Sequence, residues 1–298
     1  MLKRTIFFDN AAYLSTKDEQ LVVRYPDTEA NRTVPIEDIG YVVLNHPQIT
    51  LTHGLLQKLS ANNCAVIICN EKHLPEAMLL NLDSHYIQNE RFRHQLAASE
   101  PLKKNLWQQT VKAKIKNQAA CLAYFGHDAT ALKRIAKDVI SGDATNREGY
   151  AAKKYWHSLL GDDFRRDRYG ATPNNALNYI YAVLRAAVAR GLMASGLLPT
   201  LGIHHHNRYN AFCLADDVME PYRPIADVFA LSLYDDDFDE ILTTDDKLQI
   251  LQILDIDVMW NKKQSPLQVS ITKTCYQLAQ CFEGNKKKLI YPTLMPNL

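Results

Sequence analysis

The sequence has almost no net charge, and lacks paired cysteines, tandem repeats, low-complexity stretches and any apolar run of membrane length. Runs such as the six residues from Cys64 to Cys69 fall far short of the roughly twenty a spanning helix needs. No basic stretch followed by an apolar one opens the chain, so neither a secretory leader nor a membrane anchor is expected. The six cysteines (Cys64, Cys69, Cys121, Cys213, Cys275 and Cys281) include no CxxC pair and no metal-finger spacing. They read as reduced, buried thiols of a cytoplasmic protein. What is present is ordinary for a globular chain: 298 residues, 47% apolar and 22% charged, with only 11 Gly and 12 Pro. That composition excludes disordered, collagen-like and mucin-like chains.

The missing net charge is an average. Lys and Arg number 34 against 33 Asp and Glu, a total of +1, which at face value argues against a polyanion as partner. By segment the balance is uneven. Residues 1–83 carry 7 basic and 10 acidic residues, whereas residues 84–190 carry 18 and 9, a net of +9. Residues 191–257 then carry 3 and 13, a net of −10, and residues 258–298 carry 6 and 1. A basic block followed by an acidic one suits a partner that brings both phosphates and metal ions.

The first eighty or so residues are punctuated as a β domain. Short runs at Thr5 to Phe8, Gln20 to Tyr25, Gly40 to Leu44 and Cys64 to Cys69 are rich in Ile, Val, Phe and Tyr, and turn residues separate them. Thr52 to Ser60 carries Leu55, Leu56 and Leu59 at the spacing of one helical turn packed on a sheet. From about residue 84 the period becomes helical. Helices are expected from Ser84 to before Pro101, Leu102 to Phe125, Ala129 to Ile140, Thr145 onward, Asn174 towards Gly196, and Asp245 through Ile256. The expected architecture is α+β, a small N-terminal β-sheet domain (1–80) followed by a larger all-helical domain (84–298).

Three segments could carry chemistry. Thr145-Asn146-Arg147-Glu148 matches a capping box, which accounts for the Glu without catalysis; alternatively Glu148 is a carboxylate ligand at a helix start. Gly202-Ile203-His204-His205-His206 offers one metal ligand at most, since neighbouring side chains point apart. In Leu214 to Pro224, Asp216, Asp217 and Glu220 share a helix face, where like charges repel unless a cation lies between them. The acidic run Asp235 to Glu240 reads as a solvated face. Oxygen ligands with one imidazole and no thiolate favour Mg²⁺ or Mn²⁺ over structural zinc, and such a site suits phosphoryl transfer.

Taken together these strings resemble the CRISPR-associated adaptation integrase, the universal spacer-acquisition nuclease, in its type II form. Gly202-Ile203-His204-His205 and Asp217-Val218-Met219-Glu220-Pro221-Tyr222-Arg223-Pro224 are similar to its signature. Glu148-Gly149 with Ala151-Ala152 and Tyr155-Trp156, then Phe164-Arg165-Arg166, then Asn174-Asn175-Ala176-Leu177-Asn178-Tyr179-Ile180-Tyr181-Ala182 follow in the family's order. The resemblance covers residues 1 to about 290.

The resemblance implies that Glu148, His205 and Glu220 are catalytic metal ligands, with Asp217 beside them and Asp216 as the alternative auxiliary carboxylate. His205 is preferred because the family's histidine sits three residues after the glycine. It also implies a reaction in which the 3′-hydroxyl of a short DNA duplex attacks a phosphodiester at a CRISPR repeat. A homodimer and a small dimeric adaptation protein would be the partners, with the N-terminal domain as the region of dimer and partner contact. Because coordination needs neutral imidazole, activity should fall near about pH 6 on ordinary histidine values. In the basic block, Lys112, Lys114 and Lys116 with Arg165, Arg166 and Arg168 are candidates for the DNA backbone path. Tyr169 is a candidate for base stacking, and Lys286 to Lys288 for partner or DNA contact. The rival readings are a nuclease that only hydrolyses and a DNA-binding scaffold without catalysis.

Overall fold

The computed structural model describes the chain except residues 1, 27, 29, 30, 168, 169, 171, 234–241 and 296–298. Arg168, Tyr169 and the acidic run at 235–240 therefore lie outside the described residues. The chain divides into two compact units, Met1–Tyr86 and Ile87–Leu298.

The first unit holds strands β1 (Arg4–Phe8), β2 (Ala12–Lys17), β3 (Gln20–Arg24), β4 (Arg32–Pro35), β5 (Ile39–Leu44) and β6 (Ile49–Leu51). Helix α1 (His53–Ala61) and strands β7 (Ala65–Cys69) and β8 (Pro75–Leu79) complete it. The strands form two four-stranded sheets, ordered β1-β5-β7-β8 and β4-β3-β2-β6. In the first, β5 pairs parallel with both β1 and β7, and its first five residues are all buried. An unbroken apolar run is what a central parallel strand needs, because both of its faces are covered. β2 instead alternates buried and exposed residues at its start, the pattern of a strand with one wet face. Thr52 caps α1 by accepting the Leu55 amide, and Leu55 and Leu59 then drop into a core with Phe8, Leu14, Leu21 and Val42.

The second unit is built on α3 (Glu100–Tyr124), preceded by α2 (Gln88–Leu96). It continues with α4 (Thr130–Lys137), α5 (Arg147–Leu160), α6 (Asn174–Ala194), α7 (Cys213–Met219), α8 (Arg223–Ser232), α9 (Thr244–Leu251) and α10 (Leu267–Phe282). The expected helical domain is present, with one addition. Residues near 256 do not extend a helix; β9 (Asp257–Trp260) and β10 (Lys263–Pro266) form an antiparallel hairpin.

Helix α3 packs against α4, α5, α8 and the 3-10 turn at Glu220–Tyr222. Leu106, Trp107, Val111, Ile115 and Leu122 are buried along it, and so are Thr110, Lys114, Asn117 and Gln118. Buried polar groups need partners, and α3 spends them on holding other segments. Asn117 Nδ2 donates to the carbonyls of Pro221 (2.7 Å) and Pro292 (3.0 Å). The Thr110 hydroxyl pairs with that of Tyr291 at 2.8 Å. The segment after Lys288 is thereby tied across α3, and Leu289, Tyr291 and Leu294 are buried.

Candidate active site

The start of α5 sets Glu148 free. The expected capping box from Thr145 does not form. The helix begins at Arg147 with Asn146 as its N-cap, in the left-handed region (φ 48°), accepting the Gly149 amide. Asp143 accepts the amides of Arg147 and Glu148, each at 2.9 Å. With the first-turn donors satisfied by Asp143 and Asn146, the Glu148 carboxylate has no capping duty. It forms an ion pair with Lys114.

The same lysine reaches Glu220, whose Oε2 lies 2.6 Å from Nζ. Lys114 is only 7% exposed and Glu220 only 5%, so this is a buried cation held by two carboxylates from different segments. Burial opposes the charge on Lys114, yet Glu220 and Glu148 outweigh it and raise its pKa above the usual lysine value. Burial likewise pushes Glu220 up, but Arg223 and Lys114 hold its carboxyl at about 2. Arg223 adds a contact of 3.2 Å to Glu220 Oε1. Glu220 Oε2, close as it is to the ammonium, makes no well-angled hydrogen bond.

His205 is positioned by Asp217, which is fully buried. Oδ2 of Asp217 accepts the amides of Ile203 (2.7 Å) and His204 (2.9 Å), and Oδ1 lies 2.5 Å from His205 Nδ1. A carboxylate can only accept, so Nδ1 carries the proton and Nε2 keeps its lone pair. The hydrogen bond to Asp217, opposed by partial burial and helped by the charges of Asp217 and Glu220, raises the His205 pKa above its usual value. The turn is tight. A Cβ on Gly202 would meet the His205 carbonyl oxygen at 2.3 Å and Asp217 Oδ2 at 2.8 Å. His204 stacks flat on Trp107 of α3 (4.1 Å, 3°), and the Trp107 ring meets that of His205 edge-on at 5.6 Å. Burial and the neighbouring His205 lower the His204 pKa.

Among the described residues, no three His, Cys, Asp or Glu side chains stand close enough to hold one metal ion. The four-residue ligand set Glu148, His205, Glu220 and Asp217 is thus not gathered at one point. Glu148 and Glu220 converge on Lys114, and His205 shares a charge interaction with Glu220. Asp217 is turned away into the loop amides, so in this arrangement it orients His205. Asp216, its alternative, is gripped by Arg185 at 2.7 and 3.1 Å and by Asn210 at 2.6 Å.

The basic candidates separate by burial. Lys116 is exposed and Lys112 half-buried, whereas Lys114 faces inward. Arg165 is exposed and donates to the carbonyls of Asp162 and Phe164. Arg166 is anchored: it donates to Asn174 (2.9 Å) and Asn178 (2.7 Å) and lies 5.0 Å over the Tyr181 ring. Tyr181 and Tyr155 both donate to buried Asp227, whose carboxyl burial pushes up to about 6 despite these bonds and nearby Arg166 and Arg223. A cavity of about 350 Å³ beside His205 is lined by Gln95, Lys103, Leu201, His206 and Arg208 among others.

Sequence reasoning assigns no role to Arg223 or Trp107, and misplaces Lys114. The signal for Lys114 is phase. It falls at helical spacing with the buried Trp107, Val111, Gln118 and Leu122, while Lys112 and Lys116 do not.

Residues 6–238 match the family described as CRISPR associated protein Cas1. A CRISPR-associated endonuclease Cas1 from Neisseria meningitidis serogroup C (strain 8013) is 36% identical over 300 residues, covering 99% of this chain and 98% of the relative. A second, from Francisella tularensis subsp. novicida (strain U112), is 25% identical over 320 residues, 97% of this chain and 99% of the relative. Among solved structures, a casposase bound to integration product superposes with a TM-score of 0.79 at 20% identity, over 97% of this chain and 92% of that one. A Cas6-RT-Cas1–Cas2 complex gives 0.74 at 17% identity, over 99% of this chain and 36% of that one. These two show a shared fold.

Proposed function

The chain belongs to the CRISPR-associated Cas1 family, and on that premise we propose that it is a divalent-metal-dependent DNA integrase and endonuclease. It inserts short foreign duplexes into a CRISPR array in antiviral defence. The observation that carries the reading is the convergence of Glu148 and Glu220 on one buried cation, beside a histidine whose Nε2 is left free. The donor types suit a hard divalent ion: two carboxylates that already share one cation, plus a single imidazole and no thiolate. Glu148, Glu220 and His205 would hold Mg²⁺ or Mn²⁺, with Asp217 fixing the tautomer of His205. Such an ion supplies activation of a hydroxyl and neutralisation of charge on the phosphate oxygens.

In the proposed reaction a DNA 3′-oxygen bonds to a target phosphorus as the bond to the old 3′-oxygen breaks. The attacking hydroxyl loses a proton and the departing oxygen gains one. The number of phosphodiesters is conserved, so neither a nucleotide triphosphate nor a protein nucleophile is needed. This agrees with a site that presents carboxylates and imidazole. The exposed cations Lys116 and Arg165, with Lys112, would contact phosphates. The protein would act as a homodimer with a small Cas2-type partner, since a solved structure of the same fold is part of a Cas1–Cas2 complex.

The test uses a labelled duplex, target DNA and Mn²⁺. Glu148→Gln and Glu220→Gln are expected to bind DNA as the wild type does and to lose strand transfer by at least about a hundredfold. Wild-type transfer in both variants would remove the metal-site reading. Hydrolysed ends without branched product in the wild type would instead leave a nuclease that cleaves and does not join.

A further inference from the structure

Lys114 occupies the space between the carboxylates that the proposed function gives to a metal. It projects from α3 in phase with buried residues, and its ammonium faces Glu148 and Glu220. The local charges balance: two carboxylates, Lys114 and Arg223. A divalent ion added to this set would leave an excess of two positive charges in a buried place, which the low dielectric penalises heavily. One of the two cations has to give way. Arg223 is constrained, since its guanidinium bonds Glu220 at 3.2 Å and lies 5.0 Å over the Tyr181 ring. Lys114 has a flexible four-carbon stem and a point charge. It also borders a cavity of about 60 Å³ lined by Gln118, Trp156, Arg166, Arg223 and Asp227 among others, into which the stem can turn with the Asp227 carboxylate, not the two guanidinium groups, as the partner for its charge.

We propose that Lys114 is a tethered occupant of the Glu148–Glu220 pair: it holds the two carboxylates together in the metal-free protein and is displaced, still charged, when a divalent ion binds. Without it the carboxylates would repel each other across a gap that is buried on the Glu220 side and partly exposed at Glu148. With it they stay aimed at a common point, and the ion must compete with an ammonium that cannot diffuse away. The lysine therefore weakens metal affinity while preserving the geometry that receives the metal. This inference rests on the metal-binding reading of Glu148 and Glu220.

The experiment is a Mn²⁺ titration of the full chain followed by electron paramagnetic resonance, with thermal melts before and after Mn²⁺. Lys114→Met keeps the length of the side chain and removes its charge. It is expected to bind Mn²⁺ at least about tenfold more tightly than the wild type. Its metal-free form is expected to melt lower than the wild type, and saturating Mn²⁺ to narrow that gap. If Lys114→Met does not fold, Lys114→Gln carries the same expectations. Glu148→Gln and Glu220→Gln are titrated alongside. If they lose Mn²⁺ while the folded Lys114 variant binds it no more tightly than the wild type, the tethered-occupant proposal fails and the metal site stands. If they bind Mn²⁺ as the wild type does, the metal-site reading fails and takes this proposal with it.

Discussion

A single carboxylate, Asp217, decides which face of His205 is available. Its oxygens accept the amides of Ile203, His204 and His205 and face Nδ1 of the ring, so the lone pair on Nε2 depends on Asp217 remaining an acceptor. In Asp217→Asn the oxygen can still serve the amides, but the NH₂ group faces Nδ1 and favours the tautomer with the proton on Nε2. The expected result is a folded protein with metal affinity reduced about 10–100-fold, read by the same Mn²⁺ titration and by circular dichroism. Wild-type affinity in this variant would mean that the tautomer is set by something else. The pH dependence follows with a definite sign. Protonation of Nε2 competes with the metal, and Asp217 raises the His205 pKa. In the wild type, metal uptake should therefore be lost on acidification from above the ordinary histidine value, not only below it. At this scale the sequence was partly legible. Gly202, His205 and Glu220 stand out by motif, whereas the division of labour between Asp216 and Asp217 depends on Arg185, 31 residues from Asp216, and on amides of a loop that no spacing rule describes.

Helix α5 shows how an element can serve a site by relieving one residue of a structural task. The string Thr145 to Glu148 fits a capping box, yet Asp143 and Asn146 do the capping, and Glu148 faces α3. Thr145→Ala should therefore change stability by less than about 0.5 kcal/mol. Asp143→Ala, which strips two first-turn amides of their acceptor, should cost roughly 1–2 kcal/mol. Asn146→Ala should cost about as much, since it loses a cap and puts a Cβ residue at φ 48° without its local hydrogen bond. Urea unfolding measures all three, and a Thr145→Ala loss equal to that of Asp143→Ala would contradict this account. The elements most legible in sequence are those whose burial is one-sided or complete, such as β5, α1 and α6. β2 (Ala-Tyr-Leu-Ser-Thr-Lys) and β4 (Arg-Thr-Val-Pro) escape notice because half of each is polar. The β9–β10 hairpin escapes because its turn, Asn261 and Lys262 at positive φ, lacks the glycine that usually marks one.

For the whole molecule, the net charge of +1 conceals a basic segment whose cations do different work. Lys116 on α3 is exposed, Lys114 two residues earlier is committed to carboxylates, and Arg166 is engaged with Asn174, Asn178 and Tyr181. Charge per segment thus points to a polyanion, but only burial sorts the cations into those that can meet one and those that hold the fold. If Lys116 contacts a phosphate, Lys116→Ala should lower the slope of log affinity against log salt by about one, with little change in melting temperature. Arg166→Ala should behave in the opposite way. Removing the guanidinium takes one donor each from Asn174, which keeps the Asp167 amide, and from Asn178, and uncovers one side of a buried ring, which should lower stability by roughly 1–3 kcal/mol. The salt slope for DNA should stay near that of the wild type. Fluorescence anisotropy of a labelled duplex across a KCl series, paired with thermal melts, reads both quantities on the same preparations. An Arg166→Ala protein that melts as the wild type does and loses one unit of slope would move Arg166 from the fold to the DNA path.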